Sequence, residues 1–157
     1  MGSYIFKSPI GILKISEENG MITGLGLQQE KPDMLSEQKS VAHSDLLYEA
    51  YTQINEYFMG RRRSFELPIN CQGTAFQKQV WQELQRIPYG ETRSYEEIAI
   101  GIGNKNAVRA VGQANHNNPI MIIVPCHRVI HKNGNITGFA CGTEVKKYLL
   151  NLEKRML

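Results

Sequence analysis

The chain has 157 residues, of which 41% are hydrophobic, and a formal net charge of +3, so it can form one compact domain or two small ones. No apolar run approaches the roughly 20 residues that a membrane-spanning helix needs, and the N-terminus lacks the basic and apolar stretches of a signal peptide. The three cysteines are too few for a disulfide framework, and we expect a reducing, cytoplasmic location.

The first 27 residues favour β-structure. Apolar side chains and residue types common in strands are frequent over residues 4–27, which predicts a strand over residues 10–15 and a returning strand over residues 21–27. Asn19 and Gly20 lie between these strands and are typical of a tight hairpin turn, because both tolerate positive φ.

The rest of the N-terminal part contains one clear helix. Apolar residues at spacings of three and four predict a helix over residues 44–59, and its apolar face consists of Leu47, Tyr51, Ile54 and Phe58. Residues 28–40 are polar and predict a loop. Residues 64–69 predict a last strand, and residues 71–73 predict a linker.

The remaining residues, 74–157, predict a second and mostly helical part. Thr74 is a good N-cap for a helix that ends near residue 88, and the inner stripe of this helix is Phe76, Val80, Trp81, Leu84 and Ile87. Ser94 and Glu97 have the spacing of a capping box before a helix over residues 95–102. The final helix is marked by Val145, Leu149 and Leu152.

Two of these helices have the order of a helix-turn-helix. A helix predicted over residues 106–115 follows the one over residues 95–102 after a turn that contains Gly101 and Gly103. Small side chains on the later helix would let its backbone approach a groove closely. A tightly packed helix pair with no ligand explains the same pattern equally well.

Charge is distributed unevenly along the chain. Residues 1–73 contain 7 basic and 9 acidic side chains, whereas residues 74–157 contain 11 basic and 6 acidic ones. The basic half suggests a polyanionic partner. An ordinary solvated surface is the simpler explanation when charge is considered alone.

A cysteine follows the most apolar segment of the chain. Residues 120–124 are all apolar, and Pro125, Cys126, His127 and Arg128 come directly after them. Only the thiolate form of cysteine is a good nucleophile, and neighbouring cations favour that form. The segment therefore predicts a reactive thiol, although a buried core cysteine before a basic turn is an alternative.

Metal binding is a weaker interpretation of the same region. Cysteine and histidine side chains that could be ligands are Cys126, His127, His131 and Cys141. Their spacing fits no common zinc module. We expect no metal and no organic cofactor.

A reactive thiol and a helix-turn-helix on one small domain lead to a specific resemblance. The chain resembles the O6-alkylguanine-DNA alkyltransferases, which repair DNA by moving an alkyl group from damaged guanine to their own cysteine. The matching segments are Pro125-Cys126-His127-Arg128, Asn118-Pro119, Arg109-Ala110-Val111-Gly112, Ser94-Tyr95, Thr74-Ala75-Phe76-Gln77, and Glu153 in the last helix.

The resemblance implies an α+β fold in two domains. Residues 1–70 would form a small α/β domain, similar to ribonuclease H. Residues 74–157 would form a helical, winged-helix-like domain that carries the helix-turn-helix and the reactive cysteine.

The resemblance also implies a reaction and the residues that perform it. Cys126 would take the alkyl group of O6-alkylguanine, and also of O4-alkylthymine, once per molecule. His127 would accept the thiol proton through a water molecule, and Glu153 would hold the imidazole. Tyr95 would donate a hydrogen bond to the leaving base.

Double-stranded DNA is the partner that the resemblance implies, bound by a monomer. The damaged nucleotide would leave the duplex, and Arg109 would fill the gap while Ala110, Gly112 and Ala114 face the minor groove. The substrate pocket would be lined by Asn118, Met121, Val124, Phe139, Ala140 and Cys141. Phe139 replaces the tyrosine that is usual in the family.

Two basic residues match family positions without a clear chemical role. Arg128 matches a residue that is mainly structural. Lys146 matches a lysine near the cysteine loop, but a solvated helix lysine is nearly as good an interpretation.

Three other functions are compatible with parts of the pattern. The chain could be an alkyltransferase-like module that binds lesions without repair, although such relatives lack the cysteine. A hydrolase with a Cys-His pair would turn over many times. A redox-regulated DNA-binding protein would form a disulfide between Cys126 and Cys141.

Overall fold

A computed structural model describes residues 2–28, 44–136 and 142–156 of the chain. Contacts between residues divide the chain into two compact units, Met1–Asn70 and Cys71–Leu157. Strands and helices occur in both units, which confirms the predicted α+β class. In the part of the chain described, every helix is too short or too polar to cross a membrane.

In its described residues, the N-terminal unit is an antiparallel sheet covered by a helix. Its strands pair in sequence order and are β1 (Gly2–Ser8), β2 (Gly11–Glu18) and β3 (Met21–Leu27). Helix α1 (Asp45–Phe58) contacts all three strands. The side chains of Leu13, Ile15, Ile22 and Ile54 are fully buried between the helix and the sheet.

The predicted hairpin is confirmed, and one strand was missed. Asn19 and Gly20 both have positive φ and connect β2 to β3, as a two-residue turn of this type requires. Strand β1 pairs with β2 through a second turn at residues 9–10, so the strand predicted to begin at residue 10 begins at Gly11.

Helix α1 lies where the sequence predicted it, but the strand predicted at residues 64–69 is wrong. Only one bridge forms there, between Ile69 and Ile22. Pro68 has no N–H to donate, and the backbone of Glu66 bonds to the side chain of Gln53 on α1 instead of to a strand. The predicted loop at residues 28–40 falls outside the described residues apart from residue 28.

The C-terminal unit contains four helices and two short strands among its described residues. The elements in chain order are α2 (Ala75–Leu84), β4 (Arg93–Ser94), α3 (Tyr95–Gly101), α4 (Val108–His116), a 3-10 turn (Cys126–Arg128), β5 (Val129–Ile130) and α5 (Thr143–Arg155). Capping boxes begin α2 at Thr74 and α3 at Ser94, where the sequence placed both N-caps. Helix α4 begins two residues later than predicted and ends one residue later.

Two connections hold the helix-turn-helix, α3 and α4, against the rest of this unit. The indole Nε1 of Trp81 on α2 donates a buried hydrogen bond to the carbonyl of Ala114 on α4, at 2.8 Å. Strands β4 and β5 pair in parallel, with Ser94 opposite Ile130. The start of α3 therefore lies beside the chain that leaves the cysteine turn.

Candidate functional site

Cys126 begins the 3-10 turn at the end of a buried segment. The residue is buried, with only 4% of its surface exposed. The preceding bend is held by Asn118, whose Nδ2 donates to the carbonyl of Val124 at 2.8 Å and whose Oδ1 accepts from the N–H of Ile120 at 3.0 Å. Asn118 thus fixes the path of the chain two residues before the nucleophile candidate.

Inside this bend, the backbone is strained at Ile122. Its φ is +71°, and the N–H of Ile123 donates to the carbonyl of Met121 at 2.8 Å, which gives a tight γ-turn. A positive φ is a real outlier for a β-branched residue. The side chains of Ile120, Met121, Ile122 and Val124 are buried, and this packing holds the strained turn in place.

His127 and Glu153 form a buried pair directly after the cysteine. Imidazole Nε2 lies 2.5 Å from Glu153 Oε2, and neither side chain is more than 1% exposed. Arg128 donates to both oxygens of the same carboxylate and to the carbonyl of Ile87. The N–H of Gly90 adds a further bond to Glu153 at 3.0 Å.

These contacts determine the protonation of the pair. Burial alone would raise the pKa of Glu153, but hydrogen bonds and charge from His127 and Arg128 hold that pKa well below its ordinary value. Burial lowers the pKa of His127, with Glu153 opposing the shift and Arg128 and Lys146 adding to it. A neutral imidazole that donates Nε2–H to an anionic carboxylate has its lone pair on Nδ1, so His127 can accept a proton there.

Lys146 on α5 is a buried cation near the cysteine. Its side chain is 0% exposed, and Nζ donates to the carbonyl of Val129 at 2.5 Å and lies 5.8 Å from the centre of the Tyr95 ring. Burial lowers its pKa to about 8, and the charge of Cys126 opposes that shift. The solvated lysine that the sequence offered as an alternative is therefore wrong.

Tyr95 and Asn115 complete the surroundings of Cys126. Tyr95 is 7% exposed, and burial together with the Cys126 charge raises its pKa while a hydrogen bond with Asn115 opposes the rise. Asn115 Nδ2 also donates to the carbonyl of Cys126 at 3.3 Å. The sequence missed Asn115, although its place one residue after Ala114 on the inner side of α4 was a usable signal.

Helix α4 presents one face to a cavity of about 540 Å³. Arg109, Gly112, Gln113 and His116 line it from the helix, at spacings of three and four residues, together with Val108 at the start of the helix, and the other lining residues are Tyr95 and His131. Ala110 is exposed on the same helix. Ala114 differs from the expectation, since it is only 2% exposed and its carbonyl accepts the buried bond from Trp81, so its side chain cannot face a groove.

The remaining predicted site residues divide into two groups. Met121 and Val124 are buried in the segment before the cysteine, whereas Phe139, Ala140 and Cys141 lie outside the described residues. No three His, Cys, Asp or Glu side chains within residues 2–28, 44–136 and 142–156 cluster closely enough to hold a metal ion.

Family models match almost the whole chain. Residues 75–155 match the DNA binding domain of 6-O-methylguanine DNA methyltransferase, and residues 2–71 match the ribonuclease-like domain of the same family. The second match agrees with the ribonuclease-like fold that the resemblance implied for the N-terminal part.

Individual relatives agree with the family models. A constitutive methylated-DNA–protein-cysteine methyltransferase of Bacillus subtilis is 50% identical over 94% of this chain and 92% of its own length. A methylated-DNA–protein-cysteine methyltransferase of Methanosarcina acetivorans is 46% identical over 95% and 96% of the two chains. The crystal structure of Mycobacterium tuberculosis OGT in complex with DNA matches with a TM-score of 0.87 and 41% identity, over 99% of this chain and 94% of the other.

Proposed function

We propose, since this chain belongs to the 6-O-methylguanine DNA methyltransferase family, that it repairs DNA by moving the alkyl group of O6-alkylguanine onto its own Cys126. The observation that carries the proposal is the group of buried side chains around that thiol. His127 with Glu153 supplies an oriented base, and Lys146 supplies a buried cation. This arrangement favours a thiolate and gives its proton a destination.

The reaction consists of one displacement. His127 accepts the thiol proton, through a water molecule, and Glu153 stabilises the imidazolium that results. The sulfur attacks the alkyl carbon in line with the bond to O6; a new C–S bond forms as the C–O bond breaks, and the electron pair goes to the guanine. Tyr95 donates a hydrogen bond to the base as this charge develops. The thioether is stable, so each molecule reacts once.

Burial of Cys126 means that the base has to come to the sulfur. A nucleotide inside a duplex cannot reach a thiol that is 4% exposed, so it must be extruded. Arg109 enters the gap, while Ala110 and Gly112 lie close to the minor groove, which is only about 6 Å wide. Residues 74–157 form the domain that binds DNA and transfers the group, and residues 1–70 form the N-terminal domain.

The proposal also covers the substrate pocket, the oligomeric state and the location in the cell. Asn118 orders the bend before Cys126, and the extruded base lies among Met121, Val124, Phe139, Ala140 and Cys141. O4-alkylthymine is a second substrate. The protein acts as a monomer without a cofactor, and it acts in the cytoplasm, because a thiol nucleophile has to stay reduced.

The test is a measurement of intact mass after incubation with duplex DNA that contains O6-methylguanine. We expect one added methyl group per protein, and peptide mapping should locate it at Cys126. Cys71→Ser should gain the same mass, because Cys71 is the matched control thiol, whereas Cys126→Ser should gain none.

Other results would point to the alternatives. Binding of the lesion by folded, reduced protein without any mass change would identify a recognition module. Several methyl groups removed per protein would indicate a hydrolase. A loss of two hydrogens under mild oxidation, with no adduct from DNA, would indicate a disulfide-regulated protein.

A further inference from the structure

We propose that His131 is a further DNA-positioning residue, whose imidazole binds a backbone phosphate next to the extruded nucleotide. The inference rests on the proposed function, because it assumes that DNA with an extruded nucleotide lies against the α4 face that lines this cavity. Neither the thiol chemistry nor the base contact of Tyr95 needs His131, so the proposal adds a residue to the DNA-binding surface.

Strand register brings His131 to this cavity. Strands β4 and β5 run parallel with Ser94 opposite Ile130, so the next residue of each strand, Tyr95 and His131, are also neighbours. Their ring centroids are 4.9 Å apart, at an interplanar angle of 47°. Tyr95 is buried and His131 is exposed, so the imidazole is the part of this ring pair that incoming DNA can contact.

The loop after β5 holds His131 in place. The backbone N–H of His131 donates to the carbonyl of Asn135 at 2.9 Å, and the N–H of Gly134 donates to the carbonyl of His131 at 2.8 Å. The adjacent Lys132 pairs with Glu96 on α3, Nζ to Oε2, at 3.7 Å. A side chain on a backbone fixed at both ends is already positioned for a ligand.

The cavity has hydrogen-bond donors and a cation suited to a phosphate. His131 shares it with Arg109 and His116, and the lining residues in the part of the chain that the structure describes include no carboxylate. An imidazole N–H is a hydrogen-bond donor, and at least half of the hydrogen bonds between proteins and DNA go to phosphate or sugar.

Three substitutions at His131 separate the possible roles of its ring. The rate constant for alkylation of Cys126 is measured with a duplex that contains O6-methylguanine and with free O6-benzylguanine. His131→Ala and His131→Phe should slow the duplex reaction about tenfold, as expected for a lost hydrogen bond to a charged group, and should change the free-base reaction less than twofold. His131→Gln keeps an N–H donor and should restore most of the duplex rate.

A neutral linkage identifies the phosphate. The duplex is prepared with a methylphosphonate in place of one phosphate beside the lesion, first on the 5′ side and then on the 3′ side. At one of these positions, the neutral linkage should slow the wild-type protein but should not slow His131→Ala any further.

Several results would overturn the proposal. Equal slowing with both substrates would show that His131 acts only by holding Tyr95. An unchanged duplex rate in His131→Phe would show that ring packing is enough, and additive losses at both methylphosphonate positions would show that His131 binds neither phosphate. Absence of any adduct from either substrate in the wild-type protein is a different failure, because it removes the proposed function itself.

Discussion

Arg128 and Glu153 form a two-point ion pair inside the C-terminal unit. Nε of Arg128 donates to Oε1 of Glu153 at 2.8 Å, and Nη2 donates to Oε2 at 3.0 Å. The third bond of Arg128 goes to the carbonyl of Ile87, which ties the pair to the segment after α2. The carboxylate that orients His127 is therefore held as an anion by the last residue of the cysteine turn.

Glu153→Gln should slow alkyl transfer to Cys126 by roughly 10²- to 10⁴-fold, the usual contribution of a general base. A neutral amide cannot stabilise the imidazolium that forms when His127 takes the thiol proton. The measurement is the single-turnover rate on the folded fraction of the variant. Glu144→Gln, at an exposed position of the same helix, is the control and should keep the wild-type rate; a twofold effect at Glu153 would contradict the role.

Acid should remove the stability that Glu153 contributes. The pKa of this carboxyl is lowered in the folded state and is about 4.3 when the chain is unfolded. The contribution is therefore complete above about pH 4.3 and is lost as pH falls from there towards the folded pKa. In urea unfolding, the difference in free energy between wild-type protein and Glu153→Gln should be constant from pH 6 to about pH 4.3 and should narrow from there to pH 3; a constant difference down to pH 3 would contradict the lowered pKa.

Lys146→Met should slow alkyl transfer about tenfold at neutral pH, because it removes a cation that favours the Cys126 thiolate. The same substitution should also change how the free energy of unfolding depends on pH. The folded pKa is about 8, against an ordinary value of 10.5, so wild-type stability should rise relative to the variant as pH increases from 8 to 10. Lys147→Met changes an exposed neighbour and should show neither effect; an equal effect at both positions would exclude a specific role for Lys146.

Substitutions at Ile122 should reverse the usual order of alanine and glycine. Both remove the buried side chain, but alanine still has an unfavourable φ of +71°, whereas glycine does not. Ile122→Gly should therefore be more stable than Ile122→Ala by about 1 kcal/mol in urea unfolding. The control is Ala110→Gly, on the exposed face of α4, which should instead lose about 1 kcal/mol of stability. If Ile122→Ala were more stable than Ile122→Gly, the turn would not be strained.

Arg109→Ala should separate extrusion of the base from chemistry. The side chain lines the cavity beside α4 and is exposed, whereas Cys126 is buried. Alkylation by duplex DNA should fall far more than alkylation by free O6-benzylguanine, since only the duplex has to be opened. Equal slowing with both substrates would contradict a role in extrusion.

Local patterns predicted the helices well because each helix is specified by its own residues. Thr74 and Ser94 cap α2 and α3 by exchanging hydrogen bonds with the residue three positions later in the sequence. The apolar stripe of α1 likewise lies within one segment. Strand β1 was missed because its limits are determined by its pairing with β2. The strand predicted over residues 64–69 was wrong because Gln53, which is distant in sequence, takes the backbone hydrogen bonds of Glu66.

The site was predicted to the extent that its residues are contiguous or match a motif. Lys146 looked like a solvated residue because its burial depends on Val129 and Tyr95, which other segments bring to it. Its spacing of seven residues from Glu153 was the one available signal for a shared buried face. Ala114 was misplaced because helical spacing alone does not show which side Trp81 occupies, and no sequence pattern indicates the positive φ of Ile122.

The depth of Cys126 also bears on how long an unused molecule remains competent. A protein that reacts once is lost to repair if peroxide or a small disulfide modifies its sulfur first, and such reagents need a thiol that they can touch. Only 4% of the surface of Cys126 is exposed, so the surrounding packing shields the residue from them. The packing that requires the damaged base to be extruded therefore also keeps the cysteine of an unused molecule unmodified.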